Sequence, residues 1–189
     1  MHGLIGDFER HLDHLPPARG PRLIAFLGGT IGNFAPAQRR HFLRTIGSLL
    51  GADDHLLIGT DLVKDRDVLE AAYDDAAGVT AEFNKNVLEV LNRELGADFD
   101  LDAFEHVARY DAEAERMDIR LRSLADQEVR IDGLDLEIAF TSGEEMRTEI
   151  STKFTRERLE SVYAGAGLEM CGWFTDTAGD YALSLARTA

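Results

Sequence analysis

Residues 22 to 62 read as strand, glycine-rich turn, helix and strand, and that order constrains the chain more than any other feature in it. "RLIAFLG" (22–28) is a continuous apolar run bounded by "PPARGP" and by glycines, which predicts a strand covered on both faces in a parallel sheet. "PAQRRHFLRTIGSLLG" follows. Pro36 suits a first helical turn, Phe42, Leu43, Ile46, Leu49 and Leu50 recur at helical spacing, and Gly51 stands where a C-terminal cap is expected. "HLLIGTDL" (55–62) is a second short apolar run. Strands joined through a helix by short connections form a βαβ unit, with parallel strands and a right-handed crossover.

From Asp65 the texture changes. "DVLEAAYDDAAGVTAEFNKNVLEVLNRELG" predicts two helices broken near Gly78, the second with Phe83, Val87, Leu88, Val90, Leu91 and Leu95 on one broad apolar face. Period-two segments follow: Met117, Ile119 and Leu121, then Val129 and Ile131, then Leu134, Leu136, Ile138 and Phe140. Apolar residues alternating with polar ones mark half-exposed antiparallel strands. After residue 153 the first style returns: a helix with Leu159, Val162 and Tyr163 inward, a stop at Gly165 and Gly167, the strand "LEMCGWFT", the turn "DTAGD" and the strand "YALSLAR". The expected organisation is an α/β domain from 1–63 and 154–189, interrupted by an α+β lobe over 64–153.

Composition narrows the partners. Lys and Arg number 20 against 35 Asp and Glu, a formal net charge of −15, which repels phosphate backbones and anionic lipid. Neither nucleic acid nor a membrane is expected. No apolar stretch reaches the length of a membrane span and the N-terminus lacks a signal-peptide pattern, so a cytoplasmic location is expected. The lone Cys171 excludes an internal disulfide and is expected to pack as a small apolar residue. Six histidines form no ligand pair with a carboxylate in helical register, and the spacing of His11 and His14 is that of surface or capping residues, so no metal site is expected.

A helix, a strand and a closing antiparallel hairpin form the ending typical of the class I S-adenosylmethionine-dependent methyltransferase fold, which is Rossmann-like. Within that class, "FLGGTIGNF", "GTDLVKD", "AAYDDAAGVTAEFNKNVLEVLNRELGADFD" and "GEEMRTEISTKF", in this order, resemble the L-histidine Nα-methyltransferases of ergothioneine biosynthesis. The resemblance runs from about Gly6 to the C-terminus. It implies an enzyme that uses S-adenosylmethionine to methylate the α-amine of L-histidine repeatedly, to the trimethylated product hercynine. It also implies that this chain corresponds to the C-terminal portion of such an enzyme, because the family's glycine-rich cofactor loop and ribose-binding acid have no counterpart in it. Of the family's cofactor contacts only the adenine-side pair matches, at Asp7 and Phe8. A monomer is expected at full length.

The residues carry their own chemical reading. Glycines at the carboxyl end of a strand let a substrate approach the backbone; on the resemblance, Gly28 and Thr30 lie by the substrate amine and Asn33 meets its carboxylate and amine. The alternative for Asn33 is a helix N-cap just ahead of Pro36. Tyr73 matches the family's second carboxylate contact, and otherwise reads as a core or boundary residue. In "RTEIS", an extended chain projects Glu149 and Ser151 from the same face. Imidazole offers a donor and an acceptor, so a carboxylate and a hydroxyl can hold its two nitrogens, and the resemblance gives these residues that task. Indole has only a donor, so Glu149 argues against tryptophan. Glu144 and Glu145 are set apart from the site, since Ser142 and Glu145 have capping-box spacing. No general base is required: methyl transfer needs a neutral amine and aligned reactants, and an apolar pocket disfavours the ammonium form. The rival reading is a non-catalytic binding module whose open sheet edge is sticky.

Overall fold

The computed structural model describes residues 3, 5–15 and 20–189; most of "PPARGP" lies outside them. The chain divides into two compact units, one built from residues up to Val63 with Thr152–Ala189, the other from Lys64–Ser151.

The first unit is built on a four-stranded sheet. Strand β1 (Leu23–Phe26) leads through a 3₁₀ turn (Thr30–Asn33) and helix α1 (Pro36–Leu49) to β2 (His55–Asp61). β1 and β2 pair in parallel, Leu23 opposite His55 and Phe26 opposite Ile58, as a βαβ unit requires. Helix α4 (Arg156–Ala164) and strands β8 (Leu168–Thr175) and β9 (Tyr181–Thr188) complete it, in the order β1-β2-β9-β8. β9 is antiparallel to both neighbours, with a bulge in β8 between Met170 and Gly172. Helices α1 and α4 bring Phe42, Leu43, Ile46, Leu159 and Tyr163 against Leu56 and Ile58 in one apolar cluster. Each such side chain contributes about 1.5–3 kcal/mol by leaving water. The buried Tyr163 phenol, pushed up by burial, shares a 2.7 Å hydrogen bond with Ser184 inside that cluster.

Three expectations for this unit need correction. β1 is not covered on both faces: its burial alternates, with Leu23 57% and Leu27 53% exposed. Gly51 is not the α1 cap, because the helix ends on an extended Leu50 and the Gly51 N–H donates instead to Asp54. Cys171 is exposed, its Sγ 3.5 Å from the Leu185 carbonyl, because it lies on the outer face of β8.

The second unit holds helices α2 (Arg66–Tyr73) and α3 (Val79–Leu95), strands β3 (Phe104–Asp111), β4 (Arg116–Ser123), β5 (Gln127–Ile131), β6 (Leu136–Phe140) and β7 (Glu145–Thr152), whose last residue belongs to the first unit. β3, β4 and β7 form one sheet in that order; β5 and β6 form a separate antiparallel pair. The break between helices falls at Gly78, whose φ of 74° is the left-handed conformation glycine tolerates. The broad apolar face of α3 is split: Leu88 is buried with Leu91 and Leu95 packed beside it, while Phe83 and Val87 are exposed. Leu134 and Leu136 are likewise exposed, the former in a 3₁₀ turn and the latter at the start of β6. Ser142 does not open a helix: a turn and then β7 follow it. Glu144 closes the turn by accepting from the Thr141 N–H, and Glu145 opens β7.

Gly78 has no side chain to cap α3, and Asp75 does so in its place. Its carboxylate accepts from the N–H groups of Val79 at 3.2 Å and Thr80 at 2.8 Å. The Thr80 hydroxyl and then these N–H groups hold Asp75 down to about 2. A carboxyl lowered in the folded state stabilises fully above its unfolded value and loses that contribution as pH falls through its folded value. The Asp75 carboxyl should therefore titrate by NMR with a midpoint near 2, and Asp75→Ala should lower the melting temperature at neutral pH while leaving it nearly unchanged below that midpoint.

Candidate functional site

The turn after β1 is shaped by its glycines. Gly28 and Gly29 have φ of 85° and 74°, which lets the chain reverse within a few residues. The Gly32 N–H then donates to the Gly29 carbonyl at 2.9 Å. Gly32 answers to a different constraint: a Cβ there would lie 2.7 Å from the Thr152 carbonyl oxygen, so the turn lies backbone to backbone on the residue after Ser151. Asn33 is exposed at the end of the 3₁₀ turn. It does not cap α1, whose N-cap is Ala35 with the Gln38 side chain accepting from its N–H. Thr30 is half-buried and opens that 3₁₀ turn.

Asp7 and Phe8 lie on a hollow of about 510 Å³ lined by Ile5, Asp7, Phe8, Leu12 and Leu15 among others. Phe8 is 43% exposed and meets the rings of Phe26, Phe34 and Phe42 at centroid distances of 5.4, 6.2 and 6.2 Å. Asp7 accepts from the Glu9 N–H at 2.8 Å through Oδ1, while Oδ2 faces the Arg10 guanidinium at 3.5 Å and keeps a further lone pair. An apolar wall with an exposed ring and a carboxylate acceptor fits the adenine end of S-adenosylmethionine, whose amino group is a donor.

In the second unit the Tyr73 and Ser151 hydroxyls meet at 2.8 Å. One of the two protons is spent inside that pair, and each oxygen keeps acceptor capacity. Tyr73 is held from behind by His106. The Asn84 amide N–H₂ donates to His106 Nδ1 at 2.9 Å and to the Arg120 carbonyl at 3.0 Å, and His106 Nε2 lies 2.7 Å from the Tyr73 carbonyl. With Nδ1 accepting, the ring proton belongs on Nε2, where it donates to that carbonyl.

Glu149 is half-buried on β7, two residues before Ser151. An ion-pair lattice holds this strand in its sheet. Glu145 takes Arg109 at 2.8 Å and Arg122 at 2.7 Å, Arg122 also reaches Glu105 at 2.6 Å, and Arg147 reaches Asp118 at 3.0 Å. Isolated exposed pairs contribute little; here shared partners cross all three strands. The Arg122 and Arg109 guanidiniums hold the Glu145 carboxyl below its ordinary range.

Three charged or polar residues escape a reading by motif. Arg39 is 3% exposed; its signal in the sequence is an arginine at helical spacing to Phe42, Leu43 and Ile46. His106 falls on the inward side of an alternation with Phe104 and Ala108 in β3, a strand the periodic segments did not reveal. Lys153 is fully buried and donates to Asp61 at 2.7 Å; nothing in "STKF" announces it.

The model of the histidine-specific, S-adenosylmethionine-dependent methyltransferases matches residues 1–188. The chain belongs to that family. Curated relatives are the histidine N-alpha-methyltransferases of Mycolicibacterium smegmatis, 57% identical over 97% of this chain and 57% of that protein, and of Mycobacterium tuberculosis, 51% identical over 98% of this chain and 58% of that protein. The chain thus spans somewhat over half the length of these relatives. The L-tryptophan methyltransferase of Psilocybe serbica is 33% identical over 86% of this chain and 46% of that protein.

Because the turn after β1 rests on Thr152, Gly32 has no room for a side chain. Backbone stands against backbone, so neither partner can swing away, and overpacking of this kind costs about 1–3 kcal/mol. Gly32→Ala should lower the midpoint of urea unfolding with an unchanged slope.

Proposed function

We propose that this chain carries the substrate-holding portion of an enzyme that transfers methyl groups from S-adenosylmethionine to the α-amino nitrogen of L-histidine, giving hercynine as the first step of ergothioneine biosynthesis. The reading places the protein in the cytoplasm. The observation that carries it is the Tyr73–Ser151 hydroxyl pair, 2.8 Å apart, with Glu149 on the same strand as Ser151, in a chain of the histidine-specific family. Glu149 accepts from one imidazole nitrogen, and substrate replaces the Tyr73–Ser151 hydrogen bond, which frees both hydroxyl protons so that Ser151 donates to the other nitrogen. Tyr73 donates to the substrate carboxylate, and Asn33 meets that carboxylate and the amine beside Gly28 and Thr30. Asp7 and Phe8 hold the adenine end of the cofactor.

S-adenosylmethionine supplies an electrophilic methyl group on a sulfonium centre. The protein's contribution is to present the amine neutral and aligned, which by itself is worth many powers of ten in rate. The amine gives its proton to water, so no side chain is needed as a base. Charge repulsion from a net −15 surface leaves a zwitterionic amino acid unaffected at long range, unlike a polyanion.

Specificity tests the reading. Glu149→Gln keeps the size and loses the charge assistance of the imidazole hydrogen bond, about 1–2 kcal/mol, or roughly a tenfold fall in kcat/KM for histidine. Glu149→Ala should also shift preference toward tryptophan and phenylalanine, because a site that pairs a polar group rejects apolar competitors through that pair. Ser151→Ala should act in the same direction with a smaller effect. The measurement is kcat/KM for the three amino acids in the protein at the length its gene encodes. An unaltered histidine-to-tryptophan ratio in Glu149→Ala would favour a substrate other than histidine.

A further inference from the structure

Arg39 lies on α1, is 3% exposed, and spends its guanidinium on neutral partners. Nε donates to the Ile31 carbonyl at 3.1 Å, and Nη2 donates to the Phe34 carbonyl at 2.9 Å and to Thr152 Oγ1 at 2.7 Å. Its Cζ sits 4.8 Å from the centroid of the Phe154 ring. Among the described residues no carboxylate pairs with it.

A buried cation without a counter-ion is costly. If packing were all this position required, an apolar side chain would serve at least as well. Burial, and then the neighbouring Arg158 guanidinium, pull Arg39 down to about 10, which leaves it charged at neutral pH. The two carbonyls it grips belong to the residues flanking Gly32 and Asn33. The hydrogen bonds therefore fix the backbone that carries Asn33, while the charge stays uncompensated behind the turn.

We propose that Arg39 is the positioning residue for the carboxylate of the amino acid substrate: it locks the turn that presents Asn33 and sets a permanent positive charge behind it. This deepens the histidine reading and rests on it. The fork geometry explains why the residue is arginine, since an ammonium cannot hold two carbonyls and a hydroxyl in one plane. The substrate carboxylate supplies the negative charge that Arg39 lacks among the described residues.

The test compares L-histidine with L-histidinamide, which keeps the amine and imidazole but is neutral where histidine carries its carboxylate. Calorimetric affinities are measured on the protein at the length its gene encodes, with S-adenosylhomocysteine present. The parent should prefer histidine. Arg39→Gln should cut the histidine-to-histidinamide affinity ratio roughly tenfold, the scale of a charge pair separated by several ångströms of protein. Arg39→Lys should weaken both ligands and lower the ratio less than Arg39→Gln does, because it retains the charge and loses the fork. A purely structural Arg39 would weaken both ligands equally in both variants, and that result overturns the inference. Should Arg39→Gln fail to fold, the parent still decides: the Arg39 Nε–H resonance should move on adding histidine and hold its place with histidinamide, and an equal response to both overturns the inference. A parent that binds neither ligand overturns the histidine reading itself, and is recognised before any variant is made.

Discussion

The two points where the chain leaves and re-enters its α/β unit are bound to each other. Phe154 donates its N–H to the Asp61 carbonyl at 3.0 Å, and the Val63 N–H donates back to the Phe154 carbonyl at 3.0 Å, a parallel bridge between Leu62 and Phe154. The Lys153 ammonium closes on Asp61 beside it. A long segment between these points would otherwise bring a large closure entropy; pinning its stems confines that cost to the segment itself. The Gly32 turn leans on the neighbour of this clasp, since Thr152 is both the residue on which the turn lies and the one the Arg39 side chain holds.

The second unit solves a different problem, that of presenting one strand accurately. β7 lies in a three-stranded sheet with few large apolar residues on its outer face, and its register is set by charge. The cross-strand pairs of Arg109 and Arg122 with Glu145, of Arg122 with Glu105 and of Arg147 with Asp118 oppose a one-residue slip of β7, which would turn its charged side chains to the other face of the sheet and break its pairs. Glu149 and Ser151 inherit that register. Tyr73 is fixed independently, through the carbonyl that His106 holds and the apolar cluster of Leu69, Met117 and Ile119 on which its ring packs.

How far the site could be read in advance differs residue by residue. Asn33, Tyr73, Glu149 and Ser151 sit in short stretches whose resemblance to a family is specific, and the glycines before Asn33 announce an unusual turn. Arg39, His106 and Lys153 were not legible as functional neighbours. Each works through contacts to backbone carbonyls or to a side chain far away in sequence, and hydrogen bonds to a carbonyl leave no trace in the identity of the residue accepting them. The N-cap alternative for Asn33 failed for a related reason. The helix starts two residues later, and Gln38 takes over the cap by reaching back.

The sequence by itself determined part of the element order: the parallel βαβ start, the helix break at Gly78, the alternating strands β4 and β5, and the closing hairpin, but not β3. Those are local matters of apolar period, glycine and proline, which a linear pattern records. It did not determine which apolar residues would be covered. Leu23, Leu27, Phe83 and Val87 stand exposed although their patterns are those of core residues, because periodicity fixes a face and only packing decides whether anything lies against it. The clasp at Asp61 and Phe154, the buried Arg39 fork and the Tyr73–Ser151 contact were likewise decided by tertiary structure alone, since each joins residues whose separation along the chain carries no information about their separation in space.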